Sequence, residues 1–126
     1  MQVGNHSLTL VRKYQEAAIH FMPWSDRKRV VRAGYLSGDF TNKAERFEFN
    51  LLPADKLQHT KLVEGADIIF ETVVLKELQG ISHEFTPFLL DVVAVHGHVE
   101  APERQPILFM KEYEFATIGD SWRFHH

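Results

Sequence analysis

Two histidines separated by one residue give the clearest metal-ligand spacing in the chain. His96 and His98 flank Gly97, and Glu103 follows shortly afterwards. Side chains two residues apart on a β-strand point to the same face, so both imidazoles could ligate one ion and Glu103 could add a carboxylate. A catalytic metal needs about three protein ligands, and only two are placed by this spacing. We therefore favour the alternative, in which both imidazoles lie half exposed and hydrogen-bonded at the end of a strand.

Three charged residues, Glu71, Asp91 and Lys111, interrupt apolar strand patterns. Each has apolar residues two positions before and two positions after it. If the three strands are neighbours in one sheet and share a face, the charges approach one another. In a cavity, desolvation and mutual charge then shift their pKa values, as a general base or a ligand clamp requires. The alternative is a solvated face with weak cross-strand ion pairs, and a register slip of one residue would separate the three charges.

Aromatic side chains are a third group with binding potential. The chain has 10 Phe, 3 Tyr and 2 Trp, and apolar alternation explains most of the phenylalanines as core. Trp24 and Trp122 lie outside the strong strand patterns, beside polar residues. Together with Tyr113 they are our candidates for the mouth of a ligand pocket or for an interface.

Secondary structure must place these residues. Apolar spacing predicts a helix over 8–22, with Ser7 as its N-cap and Pro23 after its end. Beyond Pro23 the period changes to two, which is typical of strands. We expect strands over 29–37, 45–52, 66–78, 88–99 and 107–116 and a last short segment over 122–124, and the connection after Pro53 could contain a helical turn. The 88–99 segment is apolar on both faces, so we expect it to be a central strand.

This element order predicts an α+β fold in which an N-terminal helix packs on a curved antiparallel β-meander of five to six strands. A small closed barrel of the oligonucleotide/oligosaccharide-binding kind is the alternative. The stretch from Asp91 to His126, which ends Gly-Asp-Ser-Trp-Arg-Phe-His-His, resembles the closing strands of the cone-shaped nuclear-transport-factor-like folds. That resemblance covers less than a third of the chain and implies a concave pocket.

Composition limits the classes of protein. The chain has 126 residues, 44% hydrophobic and 25% charged, with a net charge of −3 and no cysteine. These values predict a single domain over 1–126 and exclude disulfide frameworks and thiolate chemistry. The net acidity argues against nucleic acid as a partner. No apolar run is long enough for a membrane span, and the N-terminus lacks a secretory pattern, so we expect a cytoplasmic protein. The terminal pair His125 and His126 carries no weight, because it could be native or added.

Function is less constrained by the sequence than the fold. Phosphate loops, dinucleotide fingerprints and nucleophile elbows are missing from it, and basic residues concentrate in the first half while acidic residues concentrate in the second. We therefore favour a non-enzymatic binding module for a protein partner or a small hydrophobic ligand, without a cofactor, and with a homodimer as an option. One alternative is a cone-fold enzyme that uses Asp91 or Glu71 as a base. The other is a metal-dependent β-barrel built on His96, His98 and Glu103.

Overall fold

The computed structural model describes residues 1, 6–34, 48–97, 105–111 and 113–124. Within these ranges the elements are α1 (His6–Tyr14), β1 (Glu16–Phe21), a 3-10 turn (Trp24–Asp26), α2 (Arg27–Gly34), β2 (Leu51–Pro53), β3 (Lys61–Val63), β4 (Ile68–Glu77), β5 (Phe88–Gly97), β6 (Leu108–Lys111), β7 (Glu114–Thr117) and β8 (Asp120–Arg123). The predicted α+β class with antiparallel sheets is confirmed. The described strands divide among three sheets, however, instead of forming one meander, and they do not close into a barrel.

The largest sheet has the order β1-β4-β5, with antiparallel pairing throughout. Its centre is β4, a β-rich segment where the sequence predicts one, and the side chains of Glu71 and Thr72 there are fully buried. The pairing of β4 with β5 shifts register between Glu71 and Thr72 and again between Val74 and Lys76. These two irregularities change which side chains face each other along the sheet.

The predicted helix over 8–22 is only half correct. Helix α1 ends at Tyr14, and the next residue, Gln15, has a φ of 58°, a left-handed conformation that ends a helix. From Glu16 to Phe21 the chain is a strand, because every residue of it pairs with β4. Tertiary pairing therefore overrides the local helical spacing of the apolar residues.

Two predicted strands of the first half also differ from the structure. The described part of 29–37 belongs to α2, which follows the 3-10 turn directly, and the rest of that prediction lies outside the described residues. An ion pair between Asp26 and Arg29, at 2.9 Å, links the turn to the helix. The second is the strand predicted over 45–52. In its described part, only the last two residues are in a strand, the short β2, which pairs with β3.

The strand over 88–99 exists as β5, but its predicted central position is wrong. In the described sheet β5 pairs with β4 alone and forms the margin. Its alternating residues are open to solvent, with Leu89 54% and Val95 51% exposed. The apolar sequence of this strand therefore does not mean that it is buried on both faces. Among the described residues, nothing covers several of its apolar side chains.

The predicted strand over 107–116 is a hairpin of β6 and β7, and β8 completes a separate three-stranded sheet. A core cluster lies between this sheet, the 3-10 turn and α2. It contains Trp24, Val31, Phe115 and Phe124. Because β5 and β6–β8 belong to different sheets, the resemblance of the C-terminal stretch to a cone-shaped fold is not confirmed.

No described helix combines the length and the apolar character that crossing a membrane requires.

Candidate functional site

An open cleft lies where the end of β1, helix α2 and the β6–β7 hairpin meet. Its volume is about 400 Å³, within the usual range for small-molecule and cofactor sites. An isolated bridge between Pro23 and Pro106, together with a hydrogen bond of 3.0 Å from Trp24 N to Gln105 O, joins the two sides near the cleft. The lining residues are mostly apolar or aromatic: His20, Phe21, Met22, Val30, Val31, Pro106, Ile107, Phe109 and Phe115.

Among the described residues that line the cleft, His20 is the one with a titratable side chain. Its Nε2 accepts the backbone N–H of Val63 at 2.9 Å, so that nitrogen carries no proton. Burial lowers the pKa of His20, and a hydrogen bond to the backbone of Ala18 opposes this only in part. The imidazole is therefore neutral at pH 7 and ties the cleft wall to β3.

The guanidinium of Arg27 packs against two tryptophan rings. Its guanidinium lies 4.5 Å from the ring centre of Trp24 and 5.3 Å from that of Trp122, and Nη1 donates to Trp24 O at 3.1 Å. Its Nε is buried and has no hydrogen-bond partner among the described residues. Trp122 in turn packs against Phe115, a residue of the cleft wall.

The three aromatic candidates from the sequence, Trp24, Trp122 and Tyr113, therefore come together. They belong to the core cluster or pack against it, and none of them lines the cleft. The structure gives them contact with Arg27 or with the core; their proposed role at a pocket mouth stays a prediction.

A second polar arrangement lies on the large sheet, where two buried carboxylates hold the loop 55–60. Glu71 accepts the backbone N–H groups of Asp55, Lys56 and Leu57 at 2.8–3.1 Å. Glu16 on β1 accepts those of Gln58 and His59 and the hydroxyl of Thr60. Two side chains thus satisfy five consecutive backbone donors. We call this arrangement, Glu16 and Glu71 with residues 55–60, the carboxylate clasp.

The charge state of Glu71 follows from these contacts. Burial raises the pKa of the carboxyl, but hydrogen bonds from His96 and from the backbone N–H groups of Lys56, Asp55 and Leu57 outweigh that effect and lower the pKa to about 2. Glu71 is therefore a buried anion across the physiological pH range. His96 Nε2 contacts its Oε2 directly.

The three charges singled out in the sequence do not form a cluster. Glu71 pairs with Ala94, whereas Asp91 pairs with Val73 and is exposed. Lys111 lies on β6, in another sheet, and is also exposed. The expected approach of these three charges fails because their strands are not three neighbours of one sheet.

The histidine motif has a different outcome. His96 lies next to Glu71 and is 3.9 Å from Asp55 Oδ2. His98 and Glu103 lie outside the described residues, so the predicted ligand set of His96, His98 and Glu103 stays a prediction. Sequence reasoning missed Asp55, Glu16 and His20, because their hydrogen-bond partners are 16 to 44 positions away along the chain.

Comparison with known proteins identifies the fold. No protein-family model and no curated sequence matches the chain. Among solved structures, an FMN-binding protein from Thermus thermophilus with bound p-hydroxybenzaldehyde has a TM-score of 0.74 and 17% identity, over 93% of this chain and 65% of that one. The 2-nitrobenzoate 2-nitroreductase of Pseudomonas fluorescens gives 0.73 and 18%, over 95% and 64%. Component B of the Bacillus cereus nitrilotriacetate monooxygenase gives 0.71 and 17%, over 94% and 64%.

These identities establish a shared fold, and the chain spans about two thirds of the length of these structures. The comparison overturns the functional prediction from the sequence. The prediction of a non-enzymatic interaction module was wrong, because the matched structures are named for FMN binding or for oxidoreductase chemistry. The cone-fold and metal-barrel alternatives fail with the architectures on which they depended.

Proposed function

We propose that the chain binds a flavin in the cleft and takes part in an oxidoreductase reaction. The observation that carries the proposal is the cleft itself, which is apolar, aromatic and of cofactor size on a fold shared with an FMN-binding protein. The sequence predicted a small hydrophobic ligand, and under this proposal that ligand is a flavin. Binding to a protein partner and formation of a homodimer stay predictions, which sedimentation equilibrium tests.

The walls of the cleft fit a flat ring system. Phe109 and Phe115 stand edge to face, with centroids 5.7 Å apart, and Val30 and Val31 come from the helix. Surfaces of this kind hold an aromatic ring by dispersion and by exclusion of water. The residues present therefore fit the ring of a flavin.

Helix α2 also suits a negatively charged tail. The helix contributes Val30 and Val31 to the cleft, and it carries four basic residues: Arg27, Lys28, Arg29 and Arg32. Their charge would favour a phosphate near the cleft.

A bound flavin supplies hydride and one-electron transfer. The chain's own residues then perform three tasks. The apolar walls exclude water, the aromatic pair orients a ring, and His20 holds the end of β1 against β3. Because His20 Nε2 already accepts the N–H of Val63, this nitrogen is not a proton donor to a ligand in the cleft.

Titration with FMN, FAD and riboflavin tests the proposal through quenching of flavin fluorescence. The informative variant is Phe109→Ala, since Phe109 lines the cleft yet is 67% exposed, so its removal leaves the core intact. We expect the affinity to fall about tenfold, as the loss of one aromatic contact worth about 1.4 kcal/mol implies. Met110→Ala is the matched control, because Met110 is the next residue, is 61% exposed and does not line the cleft.

Turnover is measured in the same samples as oxidation of NADH or NADPH in the presence of the flavin. We expect faster nicotinamide oxidation with the chain than with free flavin, and less acceleration with Phe109→Ala. Absence of saturable flavin binding would refute the proposal. Equal effects of Phe109→Ala and Met110→Ala would refute the cleft as the binding site.

A further inference from the structure

We propose that Asp55, Glu71 and His96 form a binding site for one divalent transition-metal ion, with Zn²⁺ as the representative ion. We call these three residues the acid–imidazole cluster. One oxygen or nitrogen from each lies within 4.8 Å of those of the other two. They come from three elements: the loop after β2, the central strand β4 and the marginal strand β5. None of them lines the cleft, so the proposal is separate from flavin binding.

Glu71 is the observation that points to a cation. Its side chain is 0% exposed, and among the described residues its one ionisable partner is the imidazole of His96, which is in direct contact with Oε2. A buried carboxylate is costly unless its charge is compensated. Backbone N–H groups stabilise it by their dipoles, but they leave its net charge in place. A metal ion between Glu71 and its neighbours would neutralise that charge.

One lone-pair position of the Glu71 carboxylate faces His96, and this is where an ion would bind. Oε1 of the carboxylate accepts two backbone N–H groups, whereas Oε2 accepts the backbone N–H of Asp55, at 3.0 Å, and contacts His96 Nε2. The second lone pair of Oε2 faces His96 Nε2. Without a metal, a proton shared between these two atoms makes the contact favourable, and a metal ion would take the place of that proton. The backbone donors would meanwhile keep the carboxylate in its orientation, as outer hydrogen bonds do around metal ligands.

Asp55 completes the set and opens it to solvent. Its side chain is 68% exposed, and its Oδ2 is 3.9 Å from His96 Nε2. Ligand atoms around a tetrahedral zinc ion stand about 3.4 Å apart, given metal–ligand distances of about 2.1 Å. To admit the ion, Asp55 would move slightly inward and His96 would move away from Glu71, with which it is in direct contact; water would fill the fourth position. One imidazole with two carboxylates favours zinc, iron or manganese over magnesium or calcium.

This site is not the metal centre considered from the sequence. It shares His96 with that set, but its other ligands are Asp55 and Glu71, and neither His98 nor Glu103 is required. A metal here would join the loop, β4 and β5, so its expected effect is on stability and not on the reaction.

Isothermal titration of the chelator-treated full chain with ZnCl₂ tests the site, with MgCl₂ as the comparison ion. We expect one Zn²⁺ per chain, no saturable binding of Mg²⁺, and a higher melting temperature with zinc than without it. His96→Gln and Asp55→Asn should each weaken zinc binding at least tenfold. Melting curves without metal confirm that each variant folds.

Matched controls separate the cluster from other histidines and acids. His83→Gln and Asp91→Asn remove an exposed imidazole and an exposed carboxylate outside the cluster, and both should bind zinc as the parent does. A chain with His125→Gln and His126→Gln should also retain the site. The proposal is overturned if zinc does not bind, if binding survives His96→Gln unchanged, or if binding disappears with His83 or with the terminal pair.

Discussion

Replacing Glu71 by glutamine tests the carboxylate clasp most directly. Gln can direct its oxygen to the N–H groups of Lys56 and Leu57, which now share Oε1, and so keep two of the three backbone bonds. Its amide nitrogen then takes the place of Oε2 and faces the N–H of Asp55, donor against donor. The charge-assisted hydrogen bond from Asp55 is lost, the charged partner of His96 is removed, and a backbone donor that was part-buried loses its partner.

The loss is worth about 2–4 kcal/mol, since a hydrogen bond to a charged group contributes about 1.5–3 kcal/mol and an unpaired buried donor adds to the cost. For a chain of this length that corresponds to a fall in melting temperature of roughly 6–16 °C. Chelator-treated protein at pH 7, followed by circular dichroism during heating and during urea unfolding, measures both quantities.

Glu77→Gln is the matched control for this experiment. Glu77 lies on the same strand, but its partner is the exposed Arg12, at 2.8 Å, and surface pairs of this kind contribute little. We expect the control to melt within about 2 °C of the parent. If Glu71→Gln melts as the control does, the buried carboxylate does not anchor the loop and our reasoning is wrong.

Two further predictions concern stability. Because burial lowers the pKa of His20 in the folded chain, the unfolded chain takes up the proton first as the pH falls through about 6.5. The parent should therefore lose stability between pH 7.5 and pH 5.5 more steeply than His20→Gln in urea unfolding, and parallel pH profiles would contradict this. A methyl group on Gly97 would lie 2.1 Å from the carbonyl oxygen of Asp67, and Gly97 has a φ of 91°. Gly97→Ala should consequently be much less stable than Gly80→Ala, which has a φ of 72° but free space around it. Equal losses in melting temperature and in soluble yield would show that the close approach of Gly97 to Asp67 is unimportant.

The sequence predicted the elements whose patterns are long and unambiguous. The strands β4 and β5 were found because each is a run of ten residues rich in β-branched and aliphatic side chains. Glu71 also stood out as a charge within such a run. Its isolation in an apolar pattern was the signal that it has a special environment.

The other parts of the fold and of the candidate sites depend on tertiary contacts, which a local sequence pattern does not reveal. Glu16 and His20 fall within a spacing that fits a helix equally well, and only pairing with β4 makes that segment a strand. The partners of Glu71 are backbone groups of the loop 55–57, which no side-chain pattern reveals. The cleft likewise combines Val31 and Phe115, which are 84 positions apart along the chain.

The carboxylate clasp holds the loop through main-chain amides, and this has a consequence for substitution of the loop. Lys56 and Gln58 are exposed, and the bonds that anchor them start from their backbone nitrogens. Any residue other than proline offers the same nitrogen. Those two positions should therefore accept a wide range of replacements without releasing the segment, which makes them suitable for attaching a probe or for introducing new surface chemistry on a rigid support.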